Sequence, residues 1–298
     1  MAGHKRHLTT CICCRGTVVS ALSAFIWLNG RLCRREEAHI SPLDHGLLVG
    51  DGVFETLVAH QGRPFAAREH WERLVHSCEV TGLKPLPEAE YLAAMDAVLK
   101  ANQLDEARIR VTITSGDGPL GSERGDSAQT VFVTATAYKP WPATERVCLV
   151  PWTRNESGAL AGVKSTSYGE NVRALAHARA RGCGEALLAN TREELCEGTG
   201  SNVFVVLGGR LITPPLSSGC LAGVTRRLVL QACCEAGLSC FEEALPISVL
   251  QDCEEAFLTS STRDVHPIAQ IDERELPTPG SITQKVMTAF LRLTENGD

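Results

Sequence analysis

No stretch of the 298 residues is apolar for long enough to span a bilayer. An excess of basic residues is missing too: 29 Lys and Arg face 35 Asp and Glu, giving a formal net charge of -6. Such a chain offers no positive field for nucleic acid or an anionic membrane, so neither is expected as a partner. Nothing repeats and nothing is low-complexity. Several chemical signatures are absent as well. There is no Gly-x-Ser-x-Gly elbow, no His-Glu-x-x-His and no pair of Cys-x-x-Cys motifs, which removes the usual support for a hydrolase or a metalloenzyme. Gly116-Asp-Gly-Pro-Leu-Gly121 matches a dinucleotide fingerprint only formally, because Pro119 and the flanking strands spoil it.

Hydrophobic residues make up 44% of the chain and charged residues 21%, the profile of a soluble globular protein long enough for two domains. The thirteen cysteines are odd in number and scattered through apolar segments. Cys78, Cys183, Cys233, Cys234 and Cys240 all sit among Ala, Val, Leu and Phe, where a reduced thiol acts as a small hydrophobe. The expected compartment is reducing and cytoplasmic. Residues 1–24 carry Lys5, Arg6 and Arg15 beside Cys11, Cys13 and Cys14. Arg15 interrupts any signal-peptide core, and His4 and His7 complete no known ligand spacing. A disordered extension without a metal is expected there.

Order is expected from Phe25. Phe25 to Leu28 and Arg31 to Arg34 read as a hairpin turned by Asn29-Gly30. Strands are expected at Gly52 to His60, Arg108 to Thr114 and Thr130 to Ala137, and helices at Arg68 to Thr81 and Glu88 to Asn102. Tyr138 to Ala143 holds two prolines and reads as a linker, dividing a domain of residues 25–139 from one of 140–298. The second half alternates strands (Arg146 to Trp152, Ala186 to Ala189, Asn202 to Leu207, Leu211 to Thr213) with helices at Glu170 to Arg181 and Val224 to Ala236. A last strand, Glu255 to Thr259, precedes a helix from Ser281 to Leu293. With no strict βαβ rhythm, the fold class is α/β with mixed sheets, not a Rossmann fold.

Four local choices stand out. Gly162-Val-Lys164-Ser-Thr-Ser-Tyr168 sets one lysine in a small, hydroxyl-rich approach to a helix. Glu197 lies beside the glycine-rich turn Gly198-Thr-Gly-Ser-Asn202. Gly223-Val224-Thr225-Arg226 opens a helix, whose N-terminus suits a phosphate. Arg73 on an early helix could add a second charge to an anion. Taken singly, Lys164 could decorate the surface, Thr225 could be an N-cap, and Arg73 could pair with Glu69 one turn away. Their order and spacing together argue for a site.

With these stretches the chain resembles the class IV aminotransferase family, which includes branched-chain and D-amino-acid aminotransferases and aminodeoxychorismate lyase. The likeness rests on Leu43 to Glu55, Glu69 to Leu74, Lys164 to Asn171, Glu197 to Phe204, Thr213 to Arg226 and Glu255 to Thr262, in that order. It covers the chain from about residue 26 onward, most nearly as in the lyase-like members. The resemblance implies a two-domain, fold-type IV enzyme of pyridoxal 5'-phosphate (PLP), working as a homodimer on a small-molecule amine. Lys164 would bind the cofactor covalently and then move the substrate proton. Glu197 would face the pyridine nitrogen, Tyr168 the ring hydroxyl, and Arg73, Val224, Thr225, Ser261 and Thr262 the phosphate. Phe54, where aminotransferases usually carry tyrosine, points to a lyase giving 4-aminobenzoate and pyruvate from 4-amino-4-deoxychorismate. An aminotransferase acting on a small amino acid or amine is the alternative. Ser115 and Leu120 stand where some lyases carry arginine, which leaves Arg263 as a candidate for the substrate carboxylate.

Overall fold

The computed structural model describes residues 24–296. Residues 1–23, all but Ala24 of the extension expected at the N-terminus, lie outside the described residues.

A hairpin opens the described chain: β1 (Phe25–Leu28) and β2 (Arg31–Arg34), turned by Asn29 and Gly30, whose φ angles are both positive. A short helix α1 (His45–Leu48) leads into β3 (Gly52–His60) and β4 (Arg63–Pro64). Two helices follow, α2 (Ala67–Thr81) and α3 (Glu88–Asn102), then β5 (Ala107–Thr114) and β6 (Thr130–Ala137). The six strands form one antiparallel sheet in the order β2-β1-β6-β5-β3-β4. Gly82 ends α2 in the left-handed conformation, at φ 71°, as its position after an apolar face anticipates. Leu74 and Cys78 of α2 and Tyr91, Met95 and Val98 of α3 pack on Val53, Leu57, Ile109 and Val111 of the sheet.

The second half begins with β7 (Glu145–Arg154), α4 (Gly169–Ala180), β8 (Glu185–Asn190), β9 (Leu195–Gly198), β10 (Asn202–Leu207) and β11 (Arg210–Thr213). It continues with α5 (Val224–Glu235), β12 (Cys240–Glu242), α6 (Val249–Asp252), β13 (Glu255–Ser260), β14 (Asp264–Ile271), β15 (Arg274–Glu275) and α7 (Ser281–Asn296). Its strands make a mixed sheet in the order β12-β11-β10-β13-β14-β7-β8-β9, with β15 paired to β14. Helices α5 and α7 cover one side through Val229, Cys233, Val286 and Phe290, packed on Phe204 and Phe257. The architecture is α/β with mixed sheets and flanking helices, as the composition and rhythm indicated.

Two expectations fail. Glu255 to Thr259 is not the last strand, because β14 follows it in the middle of the sheet. Pro267 hides this strand from a propensity reading. The proline is tolerated because β14 changes partner beside it, pairing Asp264 to Pro267 with β13 and Ile268 to Ile271 with β7. Cys234 is also exposed rather than packed, while Cys78, Cys183 and Cys233 are buried thiols. Among the described residues no helix is long and apolar enough to cross a membrane.

Candidate active site

Alternation along two strands builds one wall of a cavity of about 800 Å³ between the two sheets. In β3, Val53 and Leu57 point into the core against α2 and α3, so Phe54 and Thr56 point the other way. In β5, Ile109 and Val111 are core residues, and Arg108 and Arg110 face the cavity with Phe54. The Arg110 guanidinium lies 3.6 Å from the Phe54 ring centroid, and its Nε donates to Thr112 Oγ1 at 3.2 Å. Burial pulls the Arg110 guanidinium below its ordinary value. No carboxylate pairs with Arg108 or Arg110 among the described residues.

Lys164 enters from the opposite wall, on the segment between β7 and α4. That segment is stitched to β3: Phe54 N donates to Lys164 O at 2.9 Å, and Thr166 N to Gly52 O at 2.8 Å. Gly52 has no room for a side chain, since a Cβ there would sit 2.7 Å from Ile113 O. The Lys164 amine reaches the cavity, 4.6 Å from the Phe54 centroid and 3.4 Å from Tyr168 Oη. Tyr168 is the residue before α4, and its ring meets Phe54 edge to face at 5.0 Å.

Glu197 sits at the end of β9 and faces the same cavity. Its Oε2 accepts from Leu221 N at 2.9 Å, and its Oε1 lies 3.2 Å from Arg154 Nε. Burial pushes this carboxyl above its usual range, and Arg154, Leu221 N and Lys164 only partly oppose the rise. Arg154 is held in place by Asn171 Oδ1, 3.3 Å from both terminal nitrogens.

The expected anion contacts converge on another part of the wall. Gly223 is the N-cap of α5 and offers no side-chain cap, so Val224 and Thr225 head the helix where backbone N–H groups precede the first intrahelical bond. A Cβ on Gly223 would collide with Asn202 Oδ1. Ser261 and Thr262 form the turn after β13 and line the cavity with Thr259, whose buried hydroxyl has no partner among the described residues. Arg73 also lines it, yet its partner is not Glu69. Its Nε and Nη2 bind Glu55 of β3 at 2.8 and 2.7 Å, and its Nη1 donates to Ala222 O at 3.0 Å.

Arg263 lines the cavity but is already engaged. Nη1 binds Glu145 Oε2 at 2.7 Å, Nη2 lies 3.6 Å from Glu185 Oε2, and the guanidinium stacks 3.6 Å from the Trp141 centroid. A fork held between two buried carboxylates holds the wall together, whereas Arg108 and Arg110 on β5 face the cavity with no carboxylate partner among the described residues. Sequence reading missed Glu55, His70, Arg108, Arg110 and Arg154. A carboxylate inside the apolar strand Val-Phe-Glu-Thr-Leu-Val was the signal for Glu55. Two arginines two residues apart in an otherwise apolar strand were the signal for Arg108 and Arg110.

The sequence matches the amino-transferase class IV family over residues 52–271. It is 35% identical over 272 residues to a Methanocaldococcus jannaschii protein provisionally named a branched-chain-amino-acid aminotransferase, covering 89% of this chain and 94% of that one. It is 30% identical over 258 residues to aminodeoxychorismate lyase of Bacillus subtilis, covering 83% and 87%. The aminotransferase thus shows the greater identity, not the lyase that the sequence motifs favoured. The fold is similar to that of a branched-chain aminotransferase from Thermobaculum terrenum described in its PLP form, with a TM-score of 0.83, 26% identity and coverage of 93% and 96%. The chain belongs to the class IV aminotransferase family, with the fold-type IV architecture that its solved relatives share.

Proposed function

We propose that this enzyme uses PLP to transfer the amino group of a small amino acid to a 2-oxo acid. The observation that carries the reading is one cavity that holds the Lys164 amine, the Glu197 carboxylate and, on the β5 wall, Arg108 and Arg110, which have no carboxylate partner among the described residues. The residues fit the cofactor: a buried hydroxyl on Thr259 lacks a partner among the described residues, and the head of α5 offers uncapped N–H groups. When bound, PLP supplies a ring that withdraws the electrons left behind as a proton leaves the amine-bearing carbon. Lys164 would hold the cofactor covalently, and its free Nζ would accept and return that proton. Glu197, held by Arg154 and Leu221 N, presents a carboxylate to the pyridine nitrogen and favours its protonated state. Val224, Thr225, Ser261 and Thr262 hold the phosphate, and Arg73 braces that side of the site. Arg110, stacked on Phe54, takes the substrate carboxylate. Phe54 and Tyr168 close the ring's surroundings against water.

A lyase acting on 4-amino-4-deoxychorismate is the second reading, favoured by the identity with the Bacillus subtilis lyase and by Arg108 as a second cation. Supplying amino acids with 2-oxoglutarate tests both. The expected result is ping-pong transfer requiring both substrates. Many turnovers on aminodeoxychorismate alone, with pyruvate and 4-aminobenzoate in equal amounts, would replace transfer by the lyase reaction.

Two organisational proposals accompany this one. Residues 25–139 and 140–298 form two domains, supported by two sheets with separate cores. The chain works as a homodimer, supported by exposed Leu47 and Leu48 on α1, Leu43 and Val49 at its two ends, and Leu120 on the loop that pairs with it. Light scattering checks the second.

A further inference from the structure

His70 lies on α2, fully buried, one turn before Arg73, and touches a partner at each ring nitrogen. Nδ1 is 2.7 Å from Glu55 Oε2, and Nε2 is 3.0 Å from Ser261 Oγ. Burial works against an ionised Glu55, but the Arg73 fork and His70 overcome it and hold the carboxyl well below its usual range. An ionised carboxylate only accepts, so His70 donates from Nδ1. Burial also disfavours the charged form of the His70 ring, against the pull of Glu55 and helped by the Arg73 and Lys164 cations. A neutral ring that donates from Nδ1 has only a lone pair at Nε2, so the Ser261 hydroxyl must donate to it. Ser261 then has nothing but oxygen lone pairs to turn toward a ligand.

A phosphate ester dianion is all acceptor, so lone pairs would meet lone pairs at Ser261. One added proton removes the conflict. We propose that His70 is a positioning residue for the cofactor phosphate: as the phosphate binds, His70 takes one proton from solvent at Nε2, and Ser261 turns its hydroxyl to the phosphate. An N–H bond forms at Nε2, the buffer acid gives up that proton, and the Ser261 O–H bond is kept while it rotates. The charged groups facing His70 are Glu55 from β3, Arg73 from its own helix and Lys164 from the segment before α4. Tyr91 of α3 lies near the pair, but burial pushes its phenol far up and it stays neutral. Glu55 on one side and the phosphate on the other offset the new cation. The inference rests on the proposed placement of the phosphate against Ser261.

Calorimetry with pyridoxine 5'-phosphate, which lacks the aldehyde that would react with Lys164, is the test. Titrations in two buffers of different ionisation enthalpy should show the wild type taking up about one proton per site more than His70→Gln. The ¹⁵N shifts of the wild-type His70 ring should change from one protonated nitrogen to two on binding, a readout that needs no variant. Ser261→Ala should weaken binding. If Ser261→Ala binds as tightly as the wild type, the phosphate does not lie there and the placement itself falls. If Ser261→Ala binds weakly but the wild-type ring stays neutral in the complex, the placement stands and the role of His70 is overturned.

Discussion

Glu55 grips Arg73 with both carboxylate oxygens: Arg73 Nε donates to Oε1 at 2.8 Å and Nη2 to Oε2 at 2.7 Å. The third donor, Nη1, reaches Ala222 O across the cavity, so the pair ties the first sheet to the turn before α5. This bidentate geometry explains why an arginine placed to meet an anion is braced by the chain's own carboxylate. It also makes Glu55 costly to alter.

Glu55→Gln should destabilise the protein by about 3–5 kcal/mol, the range for breaking one side of a buried ion pair. Urea denaturation near neutral pH checks this. The sign of the pH dependence follows from a folded carboxyl held below its ordinary value. Its contribution is complete above about pH 4.3 and is lost as pH falls from there toward the folded value. The gap between wild type and Glu55→Gln should therefore narrow in acid and stay constant above pH ~5. A gap that widens in acid contradicts the ionised pair.

Lys164 should carry the cofactor. Purified protein given PLP should be yellow, lose that colour on borohydride reduction, and show the added mass on Lys164 by peptide mass spectrometry. Lys164→Ala should take up no covalent cofactor. An adduct on Lys84, Lys100 or Lys139 instead would move the site elsewhere.

Much of this was legible beforehand, for reasons visible in individual segments. Helix α3 was expected from Glu88 to Asn102 and forms there, because Tyr91, Met95 and Val98 recur at helical spacing and are buried. The hairpin at Asn29-Gly30 followed from turn chemistry that acts within four residues. Lys164, Glu197, Val224, Thr225, Ser261 and Thr262 were read from linear motifs, and the fold brings all six to one cavity. What stayed hidden depends on contacts between distant segments. Glu55 and Arg73 are 18 residues apart, and a nearer acid, Glu69, offered a plausible local partner. Arg263 looked available because Glu145 and Glu185 lie 118 and 78 positions earlier in the chain. Strand β14 escaped because Pro267 is tolerated only through the change of pairing partner, which no local pattern announces.

Glu197→Gln should keep PLP binding and lose roughly 10²-fold in kcat, the scale expected for removing one well-placed electrostatic partner. The amide keeps the size of the side chain and can still accept from Leu221 N, so the backbone around β9 should hold. Single-turnover kinetics with the cofactor loaded checks this. Near-normal turnover would make Glu197 only a bracket for Arg154.

The two arginine types in the cavity should fail in opposite ways. Arg110 is braced by Phe54 and Thr112 and has no acidic partner among the described residues, so its charge is free for a ligand. Arg110→Met should raise KM for a carboxylate-bearing substrate about 10- to 100-fold, the worth of a charge-assisted hydrogen bond. An amine lacking the carboxylate should be turned over as in the wild type, and the melting temperature should barely move. Arg263 sits between Glu145 and Glu185 in a buried wall, so Arg263→Met leaves two carboxylates facing each other without their cation. A loss of about 3–5 kcal/mol in stability is expected there, with KM little changed in whatever protein remains folded. Thermal melts and KM measurements on both variants check the pair. If Arg263→Met raises KM and Arg110→Met lowers the melting temperature, the assignments of carboxylate partner and wall residue must be exchanged.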